Sequence, residues 1–329
     1  MSAGDPPVAL VAGASRGLGL ALCRELVGRG FTVHALARDD AELATAASIL
    51  ASEFPHRSEL RTHVCDVSVA HDVEATVAAV LAHEGRIDIA LHVAGIIQVG
   101  PLESMTLGHF QDAVGTMLWG PVHLSLAVLP GMRAARRGRI GIVTSVGGLV
   151  SVPHLLPYSV AKFGAVGLAE GLAAELVGTG VTATAVVPGL MRTGGHLHAR
   201  FTGNAEADYA WFSVGAATPI VSVSAERAAR RIVDGVLAGR PVVDLTPLTM
   251  IGRRVHGLAP ATTVRLMRVA SRLAPSGPRR GSMPAGAMDT STPSVSGDTA
   301  RRRLGSRVVD TLGTLGNRAA RRNNEMGAP

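Results

Sequence analysis

The chain of 329 residues contains one lysine, two cysteines, two tryptophans and two tyrosines, and aromatic side chains make up 3% of it. Cys23 and Cys65 fall inside apolar segments with no metal-ligand spacing. That excludes a disulfide framework and reads as two small buried hydrophobes in a reducing compartment. No run of eighteen or more apolar residues occurs, and MSAGDPPVALVAG has no basic stretch leading into an apolar run and a cleavage site. The expectation is a soluble, unexported, cytoplasmic protein. The apolar share of 47% is enough for a large core and argues against a disordered chain.

Positive charge is almost wholly arginine and is unevenly placed. Residues 1–251 carry 18 Lys+Arg against 21 Asp+Glu, a net −3, whereas residues 252–329 carry 14 against 4, a net +10. The basic character belongs to the tail. That tail has arginines without interleaved aromatics, and no recognition motif occurs elsewhere, so nucleic acid is not the expected partner.

Through residue 245, short apolar runs (VALVAG, FTVHALAR, LRTHVCDV, IDIALHVAG, RIGIVTS, VTATAVVPG, PVVDL) alternate with amphipathic helical patterns. This alternation predicts an α/β fold with a doubly wound, seven-stranded parallel sheet buried on both faces, as one domain over 1–245. Residues 246–275 read as a basic amphipathic helical extension, with Val264, Leu266, Met267, Val269, Ala270 and Leu273 opposite Arg265, Arg268 and Arg272. Residues 276–299, rich in Pro, Ser, Gly and Thr, read as a disordered linker, and 300–329 as a last helix and tail.

The first strand runs into VAGASRGLGLALCREL, where Gly13, Gly17 and Gly19 have the spacing G-x-x-x-G-x-G at a strand-to-helix turn, with Ser15, Arg16 and Leu18 between them. A dinucleotide pyrophosphate needs bare backbone N–H groups at such a turn, and the helix N-terminus adds a favourable field. By itself the motif also fits an ordinary tight connection. At the end of the second strand, Arg38 together with Arg16 could clamp a 2′-phosphate, favouring NADP(H) over NAD(H). Asp39 complicates this, because a carboxylate there can reach a ribose hydroxyl instead. Asp66, ending the third strand, is a candidate contact to the adenine edge.

The lone lysine, Lys162, stands one helical turn after Tyr158 in PYSVAKFG. The two share a helix face, and an ammonium beside a phenol favours the phenolate, making a tunable acid/base. The early glycine loop followed by Tyr-x-x-x-Lys about 140 residues later resembles the short-chain dehydrogenases/reductases, over roughly residues 8–245. The resemblance implies an NAD(P)-dependent oxidoreductase interconverting a carbonyl and a secondary alcohol. Its catalytic residues would be Tyr158 as proton donor or acceptor, Lys162 lowering its pKa and binding the nicotinamide ribose, and Ser145, thirteen residues before the tyrosine, holding the substrate oxygen. It also implies cofactor contacts at Ala94, Gly95 and the PGLMRT segment (Pro188, Gly189 and Thr193), and assembly as a homo-oligomer through the fourth and fifth helices.

Two positions depart from the family pattern. His92-Val93 replaces a pair of asparagines that brace the sheet, and Met117 replaces an asparagine that holds a helix irregularity next to the proton relay. Met117 cannot make those side-chain bonds, so turnover is expected to be reduced or retuned, and Met117→Asn to raise it. A nucleotide-binding protein that has lost its chemistry is the corresponding alternative.

The segment from Met191 to Ser224 covers the expected substrate lid and holds Phe201, Tyr209, Trp211 and Phe212, four of the chain's ten aromatics. They point either to an apolar substrate or to ordinary packing of the lid. His196 and His198 lack a third ligand, so no metal is expected. The basic extension could lie on an anionic membrane surface or dock on protein, and a membrane-surface scaffold is a further alternative.

Overall fold

The computed structural model describes residues 6–55, 60–192, 194–217, 222–275, 294–306, 320 and 322–325, with side chains at all of these except 192, 196, 213–217 and 222. The strands are β1 (Val8–Ala12), β2 (Thr32–Ala37), β3 (Leu60–Val64), β4 (Ile89–His92), β5 (Gln98–Val99), β6 (Gly138–Val143), β7 (Val181–Val187), β8 (Leu190–Arg192), β9 (Arg200–Phe201), β10 (Ser222–Ser224), β11 (Val242–Asp244) and β12 (Val295–Ser296). The helices are α1 (Gly17–Gly28), α2 (Asp40–Glu53), α3 (Ala70–Glu84), α4 (Leu107–Val114), α5 (Gly120–Ala134), α6 (Leu156–Glu175), α7 (Gly195–His198), α8 (Ala205–Ala217), α9 (Ala225–Leu237), α10 (Pro247–Leu258), α11 (Pro260–Ser271) and α12 (Gly297–Leu304).

Seven strands form one parallel sheet in the order β11-β7-β6-β4-β1-β2-β3. All five residues of β1 are buried, and their side chains alternate between two cores. Ala9 and Val11 join the core under α1, α2 and α9, whereas Val8, Leu10 and Ala12 join the core under α3, α5 and α6. A strand covered on both faces has no polar side, which is why these runs are continuous rather than alternating. After β3 the chain returns to the other side of β1, so a crevice opens beyond the ends of β1 and β4, the usual ligand position in such sheets.

The run Leu107–Ala134 is long enough to cross a membrane and contains an 18-residue stretch of mean hydropathy 1.3, but half of that stretch is buried within the fold. It comprises α4, a π-helical turn over Gly115–Trp119, and α5, and it packs against α3 and α6.

Beyond β11 the chain does not simply trail away. Arg253 on α10 bonds Asp244 of β11 at 2.9 Å, and Thr246 caps α10 through the N–H of Thr249. Of the expected linker, 276–293 lies outside the described residues, while 295–299 is ordered. Val295 pairs with Phe201 and Ser296 with Arg200 in an antiparallel bridge of β12 to β9, and α12 packs on α8. Val295 and Ala300 are apolar and find the aromatic cluster of Phe201, Tyr209 and Phe212, which stops a stretch poor in hydrophobic residues from remaining loose. Asn323–Glu325 lies against the glycine loop.

Ile232 is fully buried where α9 crosses α1. Ile232→Ala should cost about 2–5 kcal/mol, read as a lowered denaturant midpoint with an unchanged slope.

Candidate active site

The glycine loop is shaped by close approaches. Gly13 has φ +88°, and a Cβ there would lie 2.5 Å from the Cα and N of Ala94. A Cβ at Gly19 would lie 1.8 Å from the Gly13 carbonyl oxygen. The N–H groups of Gly13 and Ala14 donate to the Leu36 carbonyl at 2.8 and 3.0 Å, binding the loop to the end of β2. α1 starts without a side-chain cap, leaving its first N–H groups for another acceptor. A cavity of 640 Å³ spreads from here, lined by Gly13, Ser15, Arg16, Gly17, Leu18, Gly19, Arg38, Ala94 and Gly95. A cradle that any Cβ would fill, at a helix N-terminus, fits a dinucleotide.

The charged residues around the cavity sort by their partners. Arg38 is exposed and makes no ion pair among the described residues. Arg16 is paired with Glu42, whose carboxylate also accepts from Ser15 Oγ at 2.8 Å. Asp39 caps α2, its Oδ1 accepting the Glu42 N–H at 2.9 Å, and it lines the cavity beside Arg38. Asp66 accepts from the N–H and hydroxyl of Ser68 at 2.9 and 2.7 Å, and its neighbours Cys65 and Val67, rather than Asp66 itself, line the cavity. Glu42 carries no signal in the sequence motif, and only the fold brings it to the loop.

Ser145, Tyr158 and Lys162 come together at the end of β6. Ser145 lies two residues past the end of β6 and caps the following turn, its Oγ accepting the Gly147 N–H at 3.0 Å. Gly147 and Gly148 allow this turn to press on α6, since a Cβ at 148 would lie 2.5 Å from the Lys162 carbonyl oxygen and one at 147 would lie 3.0 Å from the Tyr158 ring. Lys162 is 4% exposed and donates to the Val143 carbonyl at 2.7 Å, with Nζ 5.8 Å from the centroid of the Tyr158 ring. Burial pulls its pKa down to about 8. Burial also pushes Tyr158 above its ordinary value, opposed by a hydrogen bond with Ser145. The sequence implied the opposite direction for the tyrosine. The ammonium lies over the ring and is spent on a strand carbonyl, so desolvation dominates. The Val146 N–H donates to the Pro188 carbonyl at 2.9 Å, and Gly189 faces Thr246 and Thr249, so this segment lies beside the turn rather than on the cavity wall. Thr193 lies outside the described residues.

The two departures from the family pattern have structural answers. The Val93 and Ala94 N–H groups both donate to the Ala12 carbonyl, at 2.8 and 3.0 Å, so backbone bonds tie β1 to β4 without side-chain amides. His92 is buried with Nε2 unpartnered among the described residues, and burial, then the charge of Lys162, holds its pKa down to about 3. It packs where Gly120 leaves room, a Cβ there being 2.6 Å from Nε2. The helix irregularity expected to need an asparagine is present over Gly115–Trp119 with methionine in place. Met117 is 1% exposed in an apolar cluster with Ala113, Ala161, Ile96 and Tyr158, so packing holds the turn.

On the substrate side, Phe201 and Tyr209 are buried and pack edge to face at 5.6 Å within a cluster that includes Val99 and Ala300. Ordinary packing accounts for both. Trp211 and Phe212 are half-buried, and His154, bonded to Asp208 at 2.6 Å, stands beside the Trp211 ring. A second cavity, of 420 Å³, lies between Val150, Val152 and Leu156 on one side and Val264, Met267 and Arg268 of α11 on the other. His198 bonds the Glu325 carbonyl, and no metal-ligating cluster occurs among the described residues.

A family model described as short chain dehydrogenase matches residues 7–200. The chain is 38% identical over 189 residues to a granaticin polyketide synthase putative ketoacyl reductase of Streptomyces violaceoruber, across 57% of this chain and 68% of that protein. A short-chain dehydrogenase of Streptomyces avermitilis has a similar structure, with TM-score 0.68 and 28% identity, covering 83% of this chain and 99% of that one. A metagenomic short-chain oxidoreductase solved in complex with NADP gives TM-score 0.53 and 34% identity, covering 57% and 84%.

Because Met117 is enclosed by apolar groups, Met117→Asn should lower stability by about 1–3 kcal/mol through an unpaired amide. Denaturant unfolding of the two proteins, alongside their turnover, separates this cost from any gain in rate.

Proposed function

Because the chain belongs to the short-chain dehydrogenase family, NAD(P)-dependent oxidoreductases of the CH–OH/C=O couple, we propose that it uses NADPH to reduce an apolar, ketoacyl-type ketone to a secondary alcohol. The observation that carries this is the clustering of buried Ser145 and Lys162 about the half-buried Tyr158, with the Lys162 ammonium over the phenol ring at 5.8 Å from its centroid. An intact trio argues against a protein that only binds nucleotide. The ketoacyl reductase name of a relative supports the substrate class, and the exposed Arg38 supports the 2′-phosphate form.

The nicotinamide, when bound, supplies a hydride to the carbonyl carbon. Ser145 holds the carbonyl oxygen, and the Tyr158 hydroxyl passes its proton to that oxygen as charge develops on it. A phenol pushed upward by burial is protonated at neutral pH and suits the donor role. The Lys162 ammonium, compact and able to bond both phenolate and ribose, then stabilises the charge left on the tyrosine. The roles of Gly13, Gly17, Gly19, Ala94 and Gly95 are to admit the cofactor's backbone closely.

NADPH oxidation with ketoacyl thioesters tests the reading, and Tyr158→Phe should lower turnover about 100-fold or more. Arg38→Ala should raise the Kd for NADPH roughly 10- to 100-fold, the loss of a charged hydrogen bond, with little change for NADH. Tighter binding of NADH by the unaltered protein would overturn the NADPH assignment.

A second reading concerns location, and it too is favoured by a specific observation. Leu248, Ile251, Val255 and Leu258 form an exposed stripe on α10, and Leu266, Val269 and Leu273 continue it along and just past α11. Residues 247–275 contain five arginines and no acidic residue, and Arg254, Arg265, Arg268 and Arg272 are exposed. Apolar stripes flanked by unopposed arginines match an anionic membrane surface, and the cavity behind α11 would let a lipid-borne ketone approach from it. The protein would otherwise be cytoplasmic and homo-oligomeric, with exposed Trp119, Leu126 and Phe163 on the helices expected to pair. The full chain should sediment with phosphatidylglycerol vesicles and not with phosphatidylcholine, and Leu258→Glu with Leu266→Glu should abolish this. If the same change splits an oligomer and no vesicle binding occurs, the face belongs to a second copy.

A further inference from the structure

The glycine loop is already touched by a peptide segment, and the segment is the chain's own. The Gly17 N–H, the first donor of α1, bonds the Asn323 carbonyl at 2.7 Å. The Glu325 carboxylate accepts the Gly194 N–H at 2.5 Å, and its other oxygen lies 2.8 Å from where a Cβ of Gly17 would be. Asn324 Nδ2 donates to the carbonyls of Ser15 and Glu42 at 2.9 and 3.2 Å, and His198 donates to the Glu325 carbonyl at 2.7 Å. Arg24 reaches Asn323 Oδ1 at 3.1 Å. Asn323 is fully buried, Glu325 is 5% exposed, and Glu325 forms part of the wall of the 640 Å³ cavity.

The contacts fall on two segments that line the cavity wall, the glycine loop, where a pyrophosphate would sit, and the stretch following β8. A peptide carbonyl and a carboxylate take the N–H groups that a phosphate would take, and a carboxylate at a helix N-terminus answers the same field. The fit is imperfect in an informative way. Burial pushes the Glu325 pKa up to about 7, opposed by the Gly194 bond and Arg16, so this seat holds a lone carboxylate at a cost. A more highly charged phosphate, paired with arginines at the cavity edge, has the advantage there. The segment is thus built to compete and not to lock. Tethering keeps it at high effective concentration whatever the protein concentration.

We propose that Asn323–Asn324–Glu325 is an intramolecular competitor for the dinucleotide, occupying the pyrophosphate position until cofactor displaces it. The inference rests on the cofactor reading above. It also goes beyond the family match, which ends at residue 200. Because the contested groups belong to the pyrophosphate, the competition acts equally on NADPH and NADH, unlike the effect of Arg38.

The test is the Kd of both nucleotides, by calorimetry, for the full chain and for Asn324→Ala with Glu325→Ala. Removing the competitor returns the affinity otherwise divided by the open fraction, so both values should fall about tenfold or more. Hydrogen exchange at 322–325 should accelerate when NADPH is added to the unaltered chain. Equal Kd values in the two proteins with unchanged exchange would overturn the competitor while leaving the cofactor reading intact. Absence of nucleotide binding in both proteins would overturn both.

Discussion

Lys162 is taken out of water by the packing of α6 over the end of β6, and the Val143 carbonyl, 2.7 Å away, compensates its ammonium. A buried cation with one strand carbonyl as partner is tolerable only if the helix is held rigidly over the strand. The Gly147–Gly148 turn meets that condition by letting β6 end directly against the α6 backbone. Ser145 precedes that turn and Tyr158 stands one helical turn from the lysine, so both inherit the same fixed geometry. The neutral imidazole of His92, next along the sheet, adds no competing charge.

Much of this was legible in the residues. The seven apolar runs became the seven strands of one sheet, and the glycine spacing marked a turn whose Cβ positions are filled by Gly13 and Ala94. Tyr158 and Lys162 could be singled out because one helical turn puts them on the same face, whereas Ser145 was implied only by the family resemblance. What the spacing did not carry was the surroundings. Whether Asp39 meets solvent, a ribose or the end of α2 depends on a local cap, and whether Tyr158 is raised or lowered depends on burial. Glu42 reaches the loop only because α2 folds back over it. The irregular turn at Met117 shows that one backbone shape can be held by packing where relatives are expected to use hydrogen bonds.

The tail was the least legible part, for a related reason. Composition describes a segment in isolation, and 295–299, the end of the expected linker, looks unable to order itself. It orders on a surface supplied by residues nearly a hundred positions earlier, where Phe201 and Tyr209 already form an apolar floor. The exposed stripe of α10 and α11 illustrates the converse, a helical pattern readable in sequence whose apolar side turns outward instead of onto the body.

The solitary lysine also alters how the protein meets amine chemistry. Acylating agents and simple aldehydes that elsewhere scatter over many surface ammonium groups find a single side-chain amine here, and it is enclosed within the candidate site. A surface built with arginine, whose guanidinium stays protonated, offers acylating agents and simple aldehydes no comparable amine nucleophile. Covalent damage of this kind is therefore all or nothing: the protein is spared while α6 stays seated over β6, and a single adduct at Lys162 would strike the site itself.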